Sequence, residues 1–110
     1  MVKLDKTFEN NEIKIGQNAI ENTKIIKETK QTDIWFHLSN LSSCHVIISV
    51  DKNNPINNEM INHCALLVKE NTKYKNLKRV KINYTQIKNI RTTDTPGKVI
   101  IKGKSSTITL

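Results

Sequence analysis

At 110 residues, with 36% hydrophobic and only 5% aromatic side chains, the chain has room for one core built mainly from Ile, Val and Leu, and no room for two domains. Its formal net charge of +8 is unevenly placed: residues 1–70 carry eight lysines against nine carboxylates, whereas residues 71–110 carry ten Lys or Arg against Asp94 alone. Concentrated positive charge attracts polyanions; no run approaches the ~20 apolar residues of a membrane span, and residues 1–11, with charges of both signs and no apolar stretch, do not read as a secretory signal.

The predicted elements run β-α-β-β-α-β-β-β. Residues 1–11 read as an N-terminal segment, flexible or at an edge, and a short strand covers residues 12–16. Asn18 followed by Glu21 has the spacing of a capping box, with Asn in place of Ser or Thr, and opens a helix that ends near Glu28. Residues 33–38 alternate with period two, placing Ile34, Phe36 and Leu38 on one face and Asp33, Trp35 and His37 on the other. Residues 44–50 are apolar on both faces, the pattern of a central strand covered on both sides. After a turn-rich loop, a helix over residues 57–71 carries a buried stripe of Met60, Ile61, Cys64, Ala65, Leu67 and Val68. Residues 80–85 alternate again, with Val80, Ile82 and Tyr84 inward and Lys81, Asn83 and Thr85 outward. An extended piece over residues 87–91 follows. The turn at residues 95–97 then leads into a predicted hairpin of residues 98–102 with 107–110, closed by 103–106. The fold class expected is α+β: a single domain over residues 1–110, with two helices on a mixed, mostly antiparallel sheet.

Catalytic and metal chemistry find little support. Gly103-Lys104-Ser105 resembles the end of a phosphate-binding P-loop, but the position five before Gly103 is Lys98, and a strand follows where the motif needs a helix. Cys44-His45 and His63-Cys64 lack the spacing of a zinc knuckle, and neighbours on a strand point to opposite faces. Asp33 and His37 share a face, yet positions four apart on a strand are roughly 13 Å apart, too far for an acid–base pair to serve Ser42 or Ser43. No cofactor, no metal and no enzyme activity are expected. Two cysteines without a leader suggest free thiols and a cytoplasmic protein.

The nucleic-acid reading uses the same residues differently. Lys73, Lys75, Lys78, Arg79, Lys81, Lys88 and Arg91 would hold phosphates, and Trp35, His37 and Tyr84 would offer planar surfaces to bases. A competing expectation for Trp35 and Tyr84 is a place in the core.

Asp33-Ile34-Trp35-Phe36-His37, followed by Ser43-Cys44-His45-Val46-Ile47-Ile48, resembles the signature of the NFACT-R domain, the RNA-binding module of NFACT proteins. Gly16-Gln17-Asn18 with Asn22, and Val80 to Thr85 with Lys88, Arg91 and Gly97-Lys98-Val99-Ile100, extend the resemblance from about Glu12 to Leu110. It is greatest to the free-standing form seen in eukaryotic coiled-coil-domain proteins. The resemblance implies RNA binding linked to translation and ribosome-associated quality control, with tRNA, rRNA or single-stranded RNA as partner. By motif position it implies Asn18, Asn22, Asp33, Trp35, His37, His45, Lys88 and Arg91 as contacts. Ser43-Cys44 replaces the Gly-Ser often found before the second His. The 110 residues hold neither a coiled coil nor the other NFACT domains, so peptide-tail extension is not assigned. DNA binding, or an adaptor role on a ribosomal or other nucleoprotein partner, are the alternatives.

Overall fold

β-Branched and aromatic residues at alternate positions suit pleated strands that bury a face. The structure, a computed structural model, describes residues 1–39 and 41–110. The chain runs β1 (Lys3–Asp5), β2 (Ile13–Gly16), α1 (Ala19–Glu28), β3 (Ile34–Leu38), β4 (His45–Ile48), α2 (Asn58–Glu70), β5 (Lys81–Gln86), β6 (Ile90–Thr92), β7 (Val99–Ile101) and β8 (Ser106–Thr109). Six strands form one antiparallel sheet in the order β1-β2-β4-β3-β5-β8, and β6 and β7 pair as a separate ribbon. The fold is α+β, as expected.

The strand with apolar residues on both faces lies inside the sheet. All four residues of β4 are buried, between β2 and β3. Val46 and Ile48 join Ile13, Ile15, Phe36, Leu38 and Ile82 beneath α2, which contributes Met60, Cys64, Ala65 and Val68. Ile47 faces the other way, with Trp35, Ile25, Ile26, Ile87 and Ile90, and Val99 and Ile101 close over them. α1 and the β6–β7 ribbon therefore share one face of the sheet and α2 occupies the other. Each buried Ile, Leu or Phe contributes about 1.5–3 kcal/mol of apolar transfer to this arrangement.

Both helices start where an asparagine can cap them. Asn18 Oδ1 accepts the Glu21 N–H at 2.9 Å, and Asn57 Oδ1 accepts the Met60 N–H at 2.9 Å. The Glu21 carboxylate reaches back to the Gln17 N–H at 3.0 Å, one residue before the expected capping-box partner.

Two expectations change. The hairpin expected of residues 98–102 with 107–110 does not form: β7 pairs with β6 in the register Ile90↔Ile101, and β8 pairs with β5 in the register Ile82↔Ile108. The β6–β7 turn brings Ile90, Val99 and Ile101 together over Trp35. β8, which offers Ile108 among Ser and Thr, completes the edge of the main sheet instead. Thr85, expected to face solvent, is buried. Its hydroxyl donates to the Lys104 carbonyl at 2.8 Å and accepts from Asn89 Nδ2 at 2.9 Å, where the chain crosses from ribbon to sheet. In addition, residues expected to be one extended piece open with a 3-10 turn, Ile87–Asn89, and the N-terminal segment supplies edge strand β1.

Arg79 enters β5 with φ of 60°, the left-handed region that costs an L side chain about 1 kcal/mol. Arg79→Gly is expected to raise the unfolding free energy by a few tenths to about 1 kcal/mol, read from urea denaturation. A clear loss of stability would mean that the exposed guanidinium supports the turn by a contact of its own.

Candidate nucleic-acid interface

Alternation along β3 turns Trp35 and His37 toward α1, and the register with β4 and β5 sets Ile47, Thr85 and Asn83 on that same face. At the end of β4 His45 joins them. Trp35 Nε1 donates to His45 Nδ1 at 3.1 Å, so Nδ1 is the acceptor and the ring is neutral with its proton on Nε2. The His45 backbone N–H donates to Asn22 Oδ1 at 3.1 Å, tying the strand to the first turns of α1. His37 lies parallel to Trp35 with centroids 5.5 Å apart, and meets His45 edge-on at 4.8 Å. Burial, with His37 beside it, pushes the His45 imidazole down to about 3, against a smaller opposing effect of the Gly97 backbone. Burial also lowers His37.

Two glycines let α1 come this close. A Cβ on Gly16 would stand 2.3 Å from Asn22 Oδ1. At the tip of the ribbon Gly97 has φ of 81°, and a Cβ there would stand 2.9 Å from the Ala19 Cα. The Gly97 N–H donates to Thr23 Oγ1 at 2.8 Å, so the β6–β7 tip is seated on the helix.

These contacts frame an open cleft of about 840 Å³ between the start of α1, the β3–β4 loop, the chain after α2 and the β6–β7 tip. Of the residues expected at a site, Asn18, Asn22, Trp35, His37, His45 and Lys73 line it. Trp35 does so from within: it is 1% exposed with its N–H engaged, so it braces His45 and offers no face to a base. Tyr84 stacks on Phe36 at 5.4 Å on the α2 side, so the two aromatics share no platform. Asp33 sits at the opposite end of β3. It is buried, and its carboxylate accepts the Lys30 and Val50 N–H groups, both at 2.9 Å. Its role there is to pin the turn into β3 and the exit of β4.

The cations divide along the sheet. Lys73 and Lys98 line the cleft. Lys75, Lys78 and Arg79 lie exposed on the segment leading into β5, and Lys81 opens that strand at the cleft end. Lys88 is exposed at the far end, where its N–H bonds the Gln31 carbonyl at 3.0 Å, and Arg91 points outward from the middle of β6. None of the ten Lys and Arg side chains after Asn71 takes part in an ion pair among the described residues. Lys98 and Asn83 are site residues that sequence reasoning did not name. The one available signal was the Gly97-Lys98 turn, and Asn83 was legible only as an outward position of its strand.

The two thiols are not reactive groups of this site. Burial pushes the Cys44 thiol up to about 11 and raises that of Cys64 still further. Cys44 faces α2 while His45 faces α1.

The family model described as the NFACT protein RNA binding domain matches residues 1–107. The chain belongs to this family. Coiled-coil domain-containing protein 25 of Mus musculus is 35% identical over 85 residues, covering 74% of this chain and 41% of the relative; the Bos taurus protein matches to the same extent. The homolog of Dictyostelium discoideum is 36% identical over 61 residues, covering 53% of this chain and 30% of its own length. The chain thus spans less than half the length of the curated relatives it matches. A solved structure, the C-terminal part of the fibronectin/fibrinogen-binding protein from Streptococcus suis, superposes with a TM-score of 0.85 over 99% of this chain and 44% of that one, at 23% identity, and shares its fold. RNA binding is the activity that names this domain, and its signature residues divide here: Asn18, Asn22, Trp35, His37, His45 and Gly97 line the cleft and Gly16 lets α1 approach it, whereas Asp33, Lys88 and Arg91 lie outside it.

Proposed function

We infer that the domain is a non-catalytic RNA-binding module, acting in the cytoplasm with the translation machinery and holding tRNA, rRNA or single-stranded RNA across the cleft. The observation that carries this reading is the set of cations after Asn71, none ion-paired among the described residues, two of which reach the cleft from separate segments. Supporting the non-catalytic part, the Asp33 carboxylate is held by backbone N–H groups away from the imidazoles, and His45 stays neutral with its Nδ1 taken by the Trp35 N–H.

Neutralising about five phosphates would weaken binding by one to three powers of ten between 50 and 200 mM salt. Fluorescence anisotropy with labelled tRNA, single-stranded RNA and single-stranded DNA at both salts measures this directly. The double substitution Lys73→Glu and Lys98→Glu is expected to lower affinity about tenfold or more for every sequence, and Lys88→Glu to lower it less, because Lys88 lies at the other end of the sheet. Salt-insensitive binding, or equal effects at Lys88 and at the cleft, would sink this reading. Co-sedimentation with ribosomal subunits tests the translation link, and association that survives nuclease would transfer the role to a protein partner.

A further inference from the structure

Among the described residues, two side-chain amides of the cleft wall, Asn22 and Asn83, have an engaged oxygen and an unpartnered nitrogen. Asn22 is 6% exposed, and its Oδ1 takes the His45 backbone N–H, which fixes the orientation of the amide. Its Nδ2 has no hydrogen-bond partner among the described residues. No fully buried side-chain nitrogen or oxygen among those residues lacks a partner, so this Nδ2 keeps contact with the cleft that the residue lines. Asn83 repeats the pattern at the other wall: Oδ1 accepts from Thr107 Oγ1 at 3.0 Å, leaving Nδ2 without a partner among the described residues.

Helix α1 adds to this. Asn18 Oδ1 caps the Glu21 N–H and the Asn18 carbonyl takes the Asn22 N–H, which leaves the N–H group of Ala19, a residue of the cleft lining, as an orphan donor among the described residues at the positive end of the helix. The ammonium groups of Lys73 and Lys98 complete the set, and among the described residues no Asp or Glu lines the cleft. The Glu21 carboxylate, which closes the cap, is turned to the Gln17 N–H and Asn18 Nδ2.

Two unpartnered amide nitrogens, two cations and a helix N-terminus, with no carboxylate in the lining among the described residues, favour an oxyanion. We propose that the cleft seats a phosphate group of the RNA strand, with Asn22 Nδ2 as its buried anchor, the first turn of α1 and Asn83 beside it, and Lys73 and Lys98 as counter-charges. This rests on the RNA-binding reading and deepens it by naming the part of the nucleic acid that enters the cleft. A base is the poorer occupant, because Trp35 is enclosed and Tyr84 lies on the opposite face, leaving His37 as the aromatic edge available.

Proton–nitrogen correlation spectra of the full chain, titrated separately with inorganic phosphate, uridine monophosphate and uridine, test the seat. The Asn22 side-chain amide pair and the Ala19 backbone signal are expected to move with the two phosphates and to stay in place with uridine. Equal movement with uridine, or an unmoved Asn22 amide, would overturn the proposal. Asn22→Asp keeps an oxygen for the His45 N–H but replaces the donor with a charged acceptor, and is expected to weaken phosphate binding by about tenfold or more. Lys98→Met, on the exposed rim, is expected to weaken it about two- to fivefold with the Trp35 indole signal unchanged, which keeps the test valid if the Asn22 variant does not fold. Unaltered phosphate affinity in Lys98→Met would also count against the seat. RNA that binds tightly while the Asn22 amide stays still refutes the seat and leaves RNA binding standing; phosphate seated at Asn22 with no affinity for any RNA refutes RNA binding and, with it, RNA as the source of the phosphate.

Discussion

Gly16→Ala is expected to destabilise the domain by about 3 kcal/mol, lowering the urea midpoint with little change in slope. The added methyl would stand 2.3 Å from Asn22 Oδ1, 2.9 Å from the Asn22 nitrogen and 3.0 Å from its Cα. A side-chain tip can swing away from such a clash, but the backbone of a packed helix cannot. Relief requires the start of α1 to lift off β2, and that movement would break the hydrogen bond from the His45 N–H to Asn22 and withdraw the Gly97 N–H from Thr23. The variant should therefore lose RNA affinity along with stability. A cost below about 1 kcal/mol would show that α1 is not seated as tightly as these distances require.

Acidification is the second large effect. The native His45 imidazole is held at about 3 by burial, with His37 beside it, while in the unfolded chain it titrates near the ordinary histidine value of about 6.5. Between those two values the unfolded state binds the extra proton, so stability is fully present above about pH 6.5 and falls as the pH is lowered toward 3. The slope for one proton is about 1.4 kcal/mol per pH unit, which gives a loss of about 3 kcal/mol between pH 6.5 and pH 4. His37 is lowered as well and adds in the same direction, and Asp5, also lowered, adds to it only in the acid carboxylate range. Unfolding free energies at pH 7, 5 and 4 would show this slope. His45→Gln offers an amide oxygen to the Trp35 N–H but does not titrate. It should be less stable at pH 7 and should lose most of the pH dependence. Parallel pH profiles for the two proteins would remove His45 as the cause.

The sequence by itself determined the elements that depend on local pattern. The alternation through Ile34, Phe36 and Leu38 and the stripe of Met60, Cys64, Ala65 and Val68 are repeats of two and of about 3.6 residues, and the short apolar run at β4 is the mark of a strand covered on both faces. A chain can bury such patterns in only one way. The Asn18 cap and the concentration of charge after Asn71 were equally legible, because each is a property of neighbouring residues, whereas Asn57, expected inside its helix, is the residue that caps it.

Tertiary structure alone decided how strand ends meet. The turns at 95–97 and 103–106 carry similar Gly-containing signals, and only the need to cover Trp35, Ile87 and Ile90 made β7 choose β6 over β8. The fate of single polar side chains was decided in the same way. Asp33 and His37 lie four residues apart on one strand face, yet one ends against backbone N–H groups at the far end of the sheet and the other beside a cleft. Asn22 became a candidate anchor because Gly16, His45 and Gly97, distant in the chain, closed around α1. Periodicity fixes which face a residue occupies, but the partner it meets there depends on contacts between segments that no local pattern encodes.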